Sequence, residues 1–336
     1  MYKRIMSTFL KVMISILLIY LLFHQRNMSV AAIYQQIRSA NLLWISIGLL
    51  FFTGSTILGA VQWKMLMQAR EIFIPTRIAI SYYYVGLFFN NFLPGYVAGD
   101  AFRIYDLTKS SGKNSDSVST VLVDRLIGFI MLTTLALVAS LIWMFLTNFS
   151  LPLFLTVISI FFGWMVALVV LFNQKLAKFF SKPFIRLFPS SIVTKVREVY
   201  LAVNSFKTHK KILADVILIS FIIQSLRVLT HYAAGRALGI ESISVFYFFI
   251  FIPIVALAVT LPFSIGGFGI REQTAVNLFC LPGVGGVANQ IISMEFLAYL
   301  IGIVSSLPGG IIFILRKKHE KIGLEQENLV VSSSNR

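Results

Sequence analysis

The chain alternates between long apolar stretches with few charges and short connectors that are polar or basic. Runs over 42–61, 121–147, 151–173, 212–236 and 290–315 are near or above the length of about 20 residues that a helix needs to cross a bilayer. A shorter run at 8–23 follows a basic start (Lys3, Arg4) and resembles a signal peptide. No small-residue cleavage site follows Phe23, so it is expected to stay as an uncleaved first helix. The pattern therefore predicts an all-α polytopic membrane protein with six full spans. Two further apolar segments, about 78–98 and 243–288, are interrupted and predict broken or re-entrant helices.

The two interruptions share a pattern. Leu93-Pro94 is followed by Gly99-Asp100 and Arg103, and Leu261-Pro262 by Gly266-Gly267, Gly269 and Arg271-Glu272. Leu, Pro, Gly and Arg fall at the same four offsets in both copies, 168 residues apart. Proline removes a backbone donor and glycine loosens the chain, so a helix stops there. In the first copy Asp100 is placed to cap the helix that restarts, with Arg103 one turn on. In the second, Phe268 stands where Asp100 stood, so that half is expected to lose its cap. Freed amides at a helix start with a guanidinium nearby suit a phosphate. Matched breaks in two halves point to a transport site in an inverted repeat. The competing reading is a pair of kinks whose arginines snorkel to water.

Composition sharpens the class. Apolar residues make up 57% of the chain and charged residues 12%, against roughly 45–50% and 25% in soluble domains. The net charge of +16 first suggests nucleic acid, but the basic residues gather in loops that one topology places inside. That topology puts both termini in the cytoplasm, with 62–77, 103–113 and the long loop 174–211 on the same side. Nucleic acid is therefore excluded as a partner. Within the long loop, basic residues and phenylalanines alternate over 174–188, which reads as an amphipathic helix on the inner leaflet or as a plain basic connector. Residues 317–336 form a polar tail expected to be disordered. Cys280 is the sole cysteine, and the four histidines lack metal-ligand spacing, so no metal or cofactor is expected.

Other polar residues fall within the apolar stretches. Gln224, Arg227 and His231, at spacings of three and four, share one helix face. Arg227 lies about 22 Å into its span at 1.5 Å per residue. It either faces a polar interior or snorkels to the outer headgroups. Asp124-Arg125 and Glu295 are either functional or boundary charges. Asn90-Asn91 stand ahead of the first break and can satisfy the backbone groups it frees. Ser305 to Gly310, with Pro308, reads as a kink.

At these residues the chain resembles a known family. Gly-Asp-x-x-Arg at 99–103, Val-Asp-Arg-Leu at 123–126 and Gly-Gly-Phe-Gly-Ile-Arg-Glu at 266–272 are similar to the lysylphosphatidylglycerol synthase transmembrane region, also called flippase-like. The similarity covers about 9–316, so residues 1–316 are expected to form one flippase-like membrane domain. The resemblance implies a bacterial inner-membrane protein that moves or presents a lipid. The aminoacyl-transferring domain of bifunctional members has no counterpart in the sequence, so a stand-alone membrane domain is expected. The residues it marks are Gly99, Asp100, Arg103, Asp124, Arg125, Gly266, Gly267, Gly269, Arg271 and Glu272; the helix-face argument adds Arg227.

The function expected is flipping or transport of an anionic phospholipid or lipid-linked headgroup, without a catalytic constellation. The alternatives are a membrane transferase using Asp100, Asp124 or Glu272 as base, and an accessory subunit of a separate lipid-modifying enzyme.

Overall fold

A computed structural model describes residues 30–92, 98–146, 151–173, 190–260 and 267–334. The expected span at 8–23, the basic segment 174–188 and both leucine-proline pairs lie outside these residues. Among the described residues the protein is helical throughout, without strands.

The chain runs α1 (Val30–Arg38), α2 (Leu42–Gln68), α3 (Thr76–Phe92), α4 (Ala98–Ser111), α5 (Asn114–Leu146), α6 (Leu151–Phe172) and α7 (Ser190–Asn204). A short 3₁₀ turn then leads to α8 (Lys210–Ala237), α9 (Val245–Val259), α10 (Ile270–Phe279) and α11 (Ala288–Ser334). Four stretches are long and apolar enough to cross a membrane: Leu42–Gln68, Asn114–Leu146, Lys210–Ala237 and Ala288–Arg316. They match four of the predicted spans, with boundaries that extend further into the polar flanks. Helix α6 is apolar and coincides with a fifth.

Local chemistry sets several of the boundaries. Asn41 caps α2 by accepting from the Leu43 amide, and Ser244 does the same for α9 through the Phe246 amide. Helix α2 packs antiparallel on α8. The Asn41 amide donates to the Ala237 carbonyl at one end, Gly48 faces Thr230 and Ala233, and Gly54 faces Leu226. Helix α11 runs alongside α2, with Ile301 against Gly48 and Phe52 against Gly302. The Ser305–Gly310 stretch does not end α11. The helix continues through Pro308, and Gly309 and Gly310 let Tyr84 and Phe88 of α3 approach closely. The helical run continues to Ser334, across the segment read as a polar tail.

The interrupted segments are helical hairpins. Helices α3 and α4 lie side by side: a Cβ at Gly99 would sit 1.8 Å from the Gly86 carbonyl oxygen, and Phe89 stacks on Phe102 at 3.8 Å. Helices α9 and α10 pair likewise, with Phe248 and Phe251 on Phe279 and Gly267 against Val259. Each leucine-proline pair therefore falls between two helices that fold back on one another. The α3–α4 hairpin starts from the end where Arg316 meets Asp106 and Tyr82, and it reaches Tyr299 and Gly302, midway along the apolar part of α11. The α9–α10 hairpin approaches from the other end, where Gly285 touches Ser242, and reaches the same Tyr299 through Phe268.

Candidate functional site

Tyr299 joins the two hairpins. Its hydroxyl donates to the Asn91 carbonyl (3.1 Å) in α3, its ring meets Phe268 (4.7 Å), and the Arg271 guanidinium lies over the ring at 4.6 Å. Around this junction is a cavity of about 230 Å³, lined by Arg103, Arg125, Arg227 and Arg271 among others. The four arginines come from four helices, two in each half of the chain.

The first-half arginines sit in an ion-pair network. Asp100 faces Arg103 at 3.5 Å and Arg125 at 2.7 Å, and Asp124 holds Arg103 at 2.9 Å. The other Asp124 oxygen accepts from Gln62 Nε2 (2.8 Å). Arg103, only 4% exposed, is held between the rings of Trp63 and Tyr83 at 4.3 and 4.5 Å. Two guanidinium groups and two carboxylates thus neutralise one another at the cavity wall. Pairing makes charge at this depth tolerable, since an unpaired arginine there costs about 2.5–3.5 kcal/mol on insertion scales.

The second half is built differently. Among the described residues no carboxylate lies within ion-pair distance of Arg227. Gln224, Arg227 and His231 all line the cavity, as their spacing predicts. Glu272 accepts from the Gly269 amide at 2.7 Å, while Gly267 and Gly269 adopt positive φ (77° and 83°) to bring the chain into α10. Gly266 lies outside the described residues.

Two capping expectations change. Asp100 does not cap α4: both its oxygens are engaged by arginines, and the first-turn amide of Gly99 donates to Asn90 Oδ1 (2.8 Å) instead. The cap thus comes from the partner arm of the hairpin and leaves Asp100 free to hold charge. The second half does not lose its cap either, because Glu272 supplies it from three residues downstream. Asp124 and Arg125 lie ten residues into α5, which begins at Asn114. Glu295 has no exposed surface, and its Oε1 lies 3.2 Å from His231 Nδ1.

Residues 8–288 match the family described as the lysylphosphatidylglycerol synthase TM region. The chain belongs to this family. It is also similar to a UPF0104 membrane protein of Pyrococcus horikoshii, 25% identical over 302 residues, which cover 83% of this chain and 89% of the relative. The protein is thus an integral membrane protein of the lysylphosphatidylglycerol synthase TM family.

Sequence reasoning missed Tyr299, Gln62 and the Trp63–Tyr83 pair that brackets Arg103. None belongs to a repeated motif, and each reaches the site from a distant part of the chain. An aromatic or amide in an apolar run gives no signal of its own. Only the ring faces turned toward arginines show what these residues do.

Proposed function

We propose that this protein moves an anionic phospholipid or lipid-linked headgroup across the cytoplasmic membrane, using the cavity between the two hairpins as the midway site. The observation that carries this reading is the convergence of Arg103, Arg125, Arg227 and Arg271, from both halves of the chain, on one space. Guanidinium groups are suited to phosphate through paired N–H donors. At about 230 Å³ the cavity is smaller than the roughly 300–1,000 Å³ that encloses a drug-sized ligand, so it takes a headgroup and leaves the acyl chains in lipid.

Hairpins that approach from opposite ends and meet at Tyr299 support an inverted repeat with alternating access. Asp100 and Asp124 are held by arginines, which favours a role in orienting charge over one as catalytic bases. The test is transfer of acyl-labelled anionic phospholipid in proteoliposomes, read by quenching of the outer leaflet. Arg227→Gln removes a guanidinium without unbalancing an ion pair, and is expected to slow transfer about 10- to 100-fold, the value of a charge-assisted hydrogen bond. Wild-type protein no faster than empty liposomes with any anionic lipid would sink the proposal.

A further inference from the structure

A group of titratable side chains beside the cavity is not used by the headgroup site. Glu295 of α11 and Glu272 of α10 are 0% and 1% exposed. Glu295 Oε1 meets His231, and its Oε2 has no hydrogen-bond partner among the described residues. Glu272 Oε2 accepts from Gly269, and its Oε1 likewise has none. Glu272 lies in the field of Arg271 first and of Glu295 more weakly. His231 reaches from Glu295 into the cavity that Arg227 and Arg271 line.

Each glutamate thus has one buried carboxylate oxygen whose lost water is not replaced by a hydrogen bond, and such an oxygen is a place where a proton can be taken up. An imidazole between such a carboxylate and a polar space offers a route in and out. Ionisable residues inside a membrane protein are functional by default, and chains of glutamate and histidine serve as proton relays in pumps and transporters.

The charges around the cavity indicate what the proton accompanies. Helix α4 brings Asp100 and Arg103, α5 Asp124 and Arg125, α8 Arg227 and His231, α10 Arg271 and Glu272, and α11 Glu295. Helices α2, α3 and α9 line the cavity with uncharged residues such as Gln62 and Tyr83. Counting Asp124 at the cavity with Asp100, Glu272 and Glu295 beside it, four arginines stand against four carboxylates, so with every carboxylate ionised and His231 neutral the charges balance before any ligand enters. A phosphodiester adds one negative charge to a space that screens it poorly. One proton on the glutamate–histidine group restores neutrality.

We infer that His231, Glu295 and Glu272 hold a coupling proton that enters and leaves with the anionic headgroup, so that the protein is an electroneutral proton–lipid symporter. The inference rests on the headgroup reading and adds its driving force. A one-unit pH difference then drives acyl-labelled phosphatidylglycerol toward the alkaline leaflet to a ratio of about tenfold, the equivalent of one pK unit. A potassium diffusion potential at equal pH drives none.

The experiment uses the full chain in proteoliposomes and reads the final leaflet ratio rather than the rate, with protein-free vesicles as control. The ratio is expected to collapse toward one in Glu295→Gln. Glu272→Gln, whose amide oxygen still accepts from Gly269, is expected to do the same and serves as a second variant if the first folds poorly. Wild-type protein that speeds transfer but ends at equal leaflets under a pH difference would overturn the coupling and leave the headgroup reading standing. Glu295→Gln and Glu272→Gln accumulating lipid like wild type would overturn the assignment of the proton. No transfer of lipid under any gradient would overturn both readings.

Discussion

Single glycines decide whether the site can form. Gly99 sits so close to the Gly86 carbonyl that a methyl group has nowhere to go, and the obstacle is backbone rather than a movable side chain. Gly267 combines positive φ with a Val259 methyl 2.4 Å from where a Cβ would lie. Gly99→Ala and Gly267→Ala are therefore each expected to cost at least the roughly 1–3 kcal/mol of an overpacked core. Thermal unfolding in detergent would show this as a clear fall in Tm, whereas Gly163→Ala, with open space around it, should leave Tm within error. The glycines were legible as helix breakers but not as points of contact. A sequence shows that a Cβ is missing, and only the fold shows what occupies its place. Glu295 makes the same point for charge: its partner His231 lies 64 residues away, and nothing in the local pattern separates a buried pair from a boundary charge.

At the scale of elements, the two hairpins are the main departure from a simple bundle. A straight crossing would put Phe89 and Phe102 about 20 Å apart along one axis; folding back stacks their rings at 3.8 Å. Cysteines at both positions, in a Cys280→Ser background, should be joined by a short bifunctional thiol reagent in membranes. Failure to cross-link, with each single cysteine reactive, would refute the hairpin. Both leucine-proline pairs lie outside the described residues; what the structure shows is that the helices on either side of each pack against one another. The meeting of the two tips at Tyr299 was not legible. It depends on α11 serving as a shared wall, and on the small residues Gly309 and Gly310 admitting α3, which reading the stretch as a kink does not reveal.

Across the whole molecule, polar contacts gather at two ends. At one, Arg70 pairs with Asp116, Lys113 reaches the Arg70 carbonyl, Ser115 meets Glu198, and Arg316 meets Asp106. At the other, Arg236 pairs with Glu241 and Gln36 accepts from Ser293. The loops that charge alone assigned to one side thus come together in space, although their sequence positions are far apart. By the positive-inside bias the Arg70–Arg316 end is expected to be the cytoplasmic one. Glu71 and Glu241 are both well exposed at their respective ends. In a Cys280→Ser background, Glu241→Cys is expected to react with an impermeant maleimide on intact cells, and Glu71→Cys only after permeabilisation. The reverse pattern would invert the orientation.

The bracketing of Arg103 has a practical consequence. Trp63 is fully buried, its indole nitrogen is anchored to Thr120, and a guanidinium lies 4.3 Å from its ring. An anion that draws Arg103 away from the ring alters the field felt by the indole, so the emission of Trp63 is an optical reporter already wired to the cavity. With Trp44, Trp143 and Trp164 replaced by phenylalanine, titration with anionic lipid should shift that emission, and neutral lipid should leave it dark to the change.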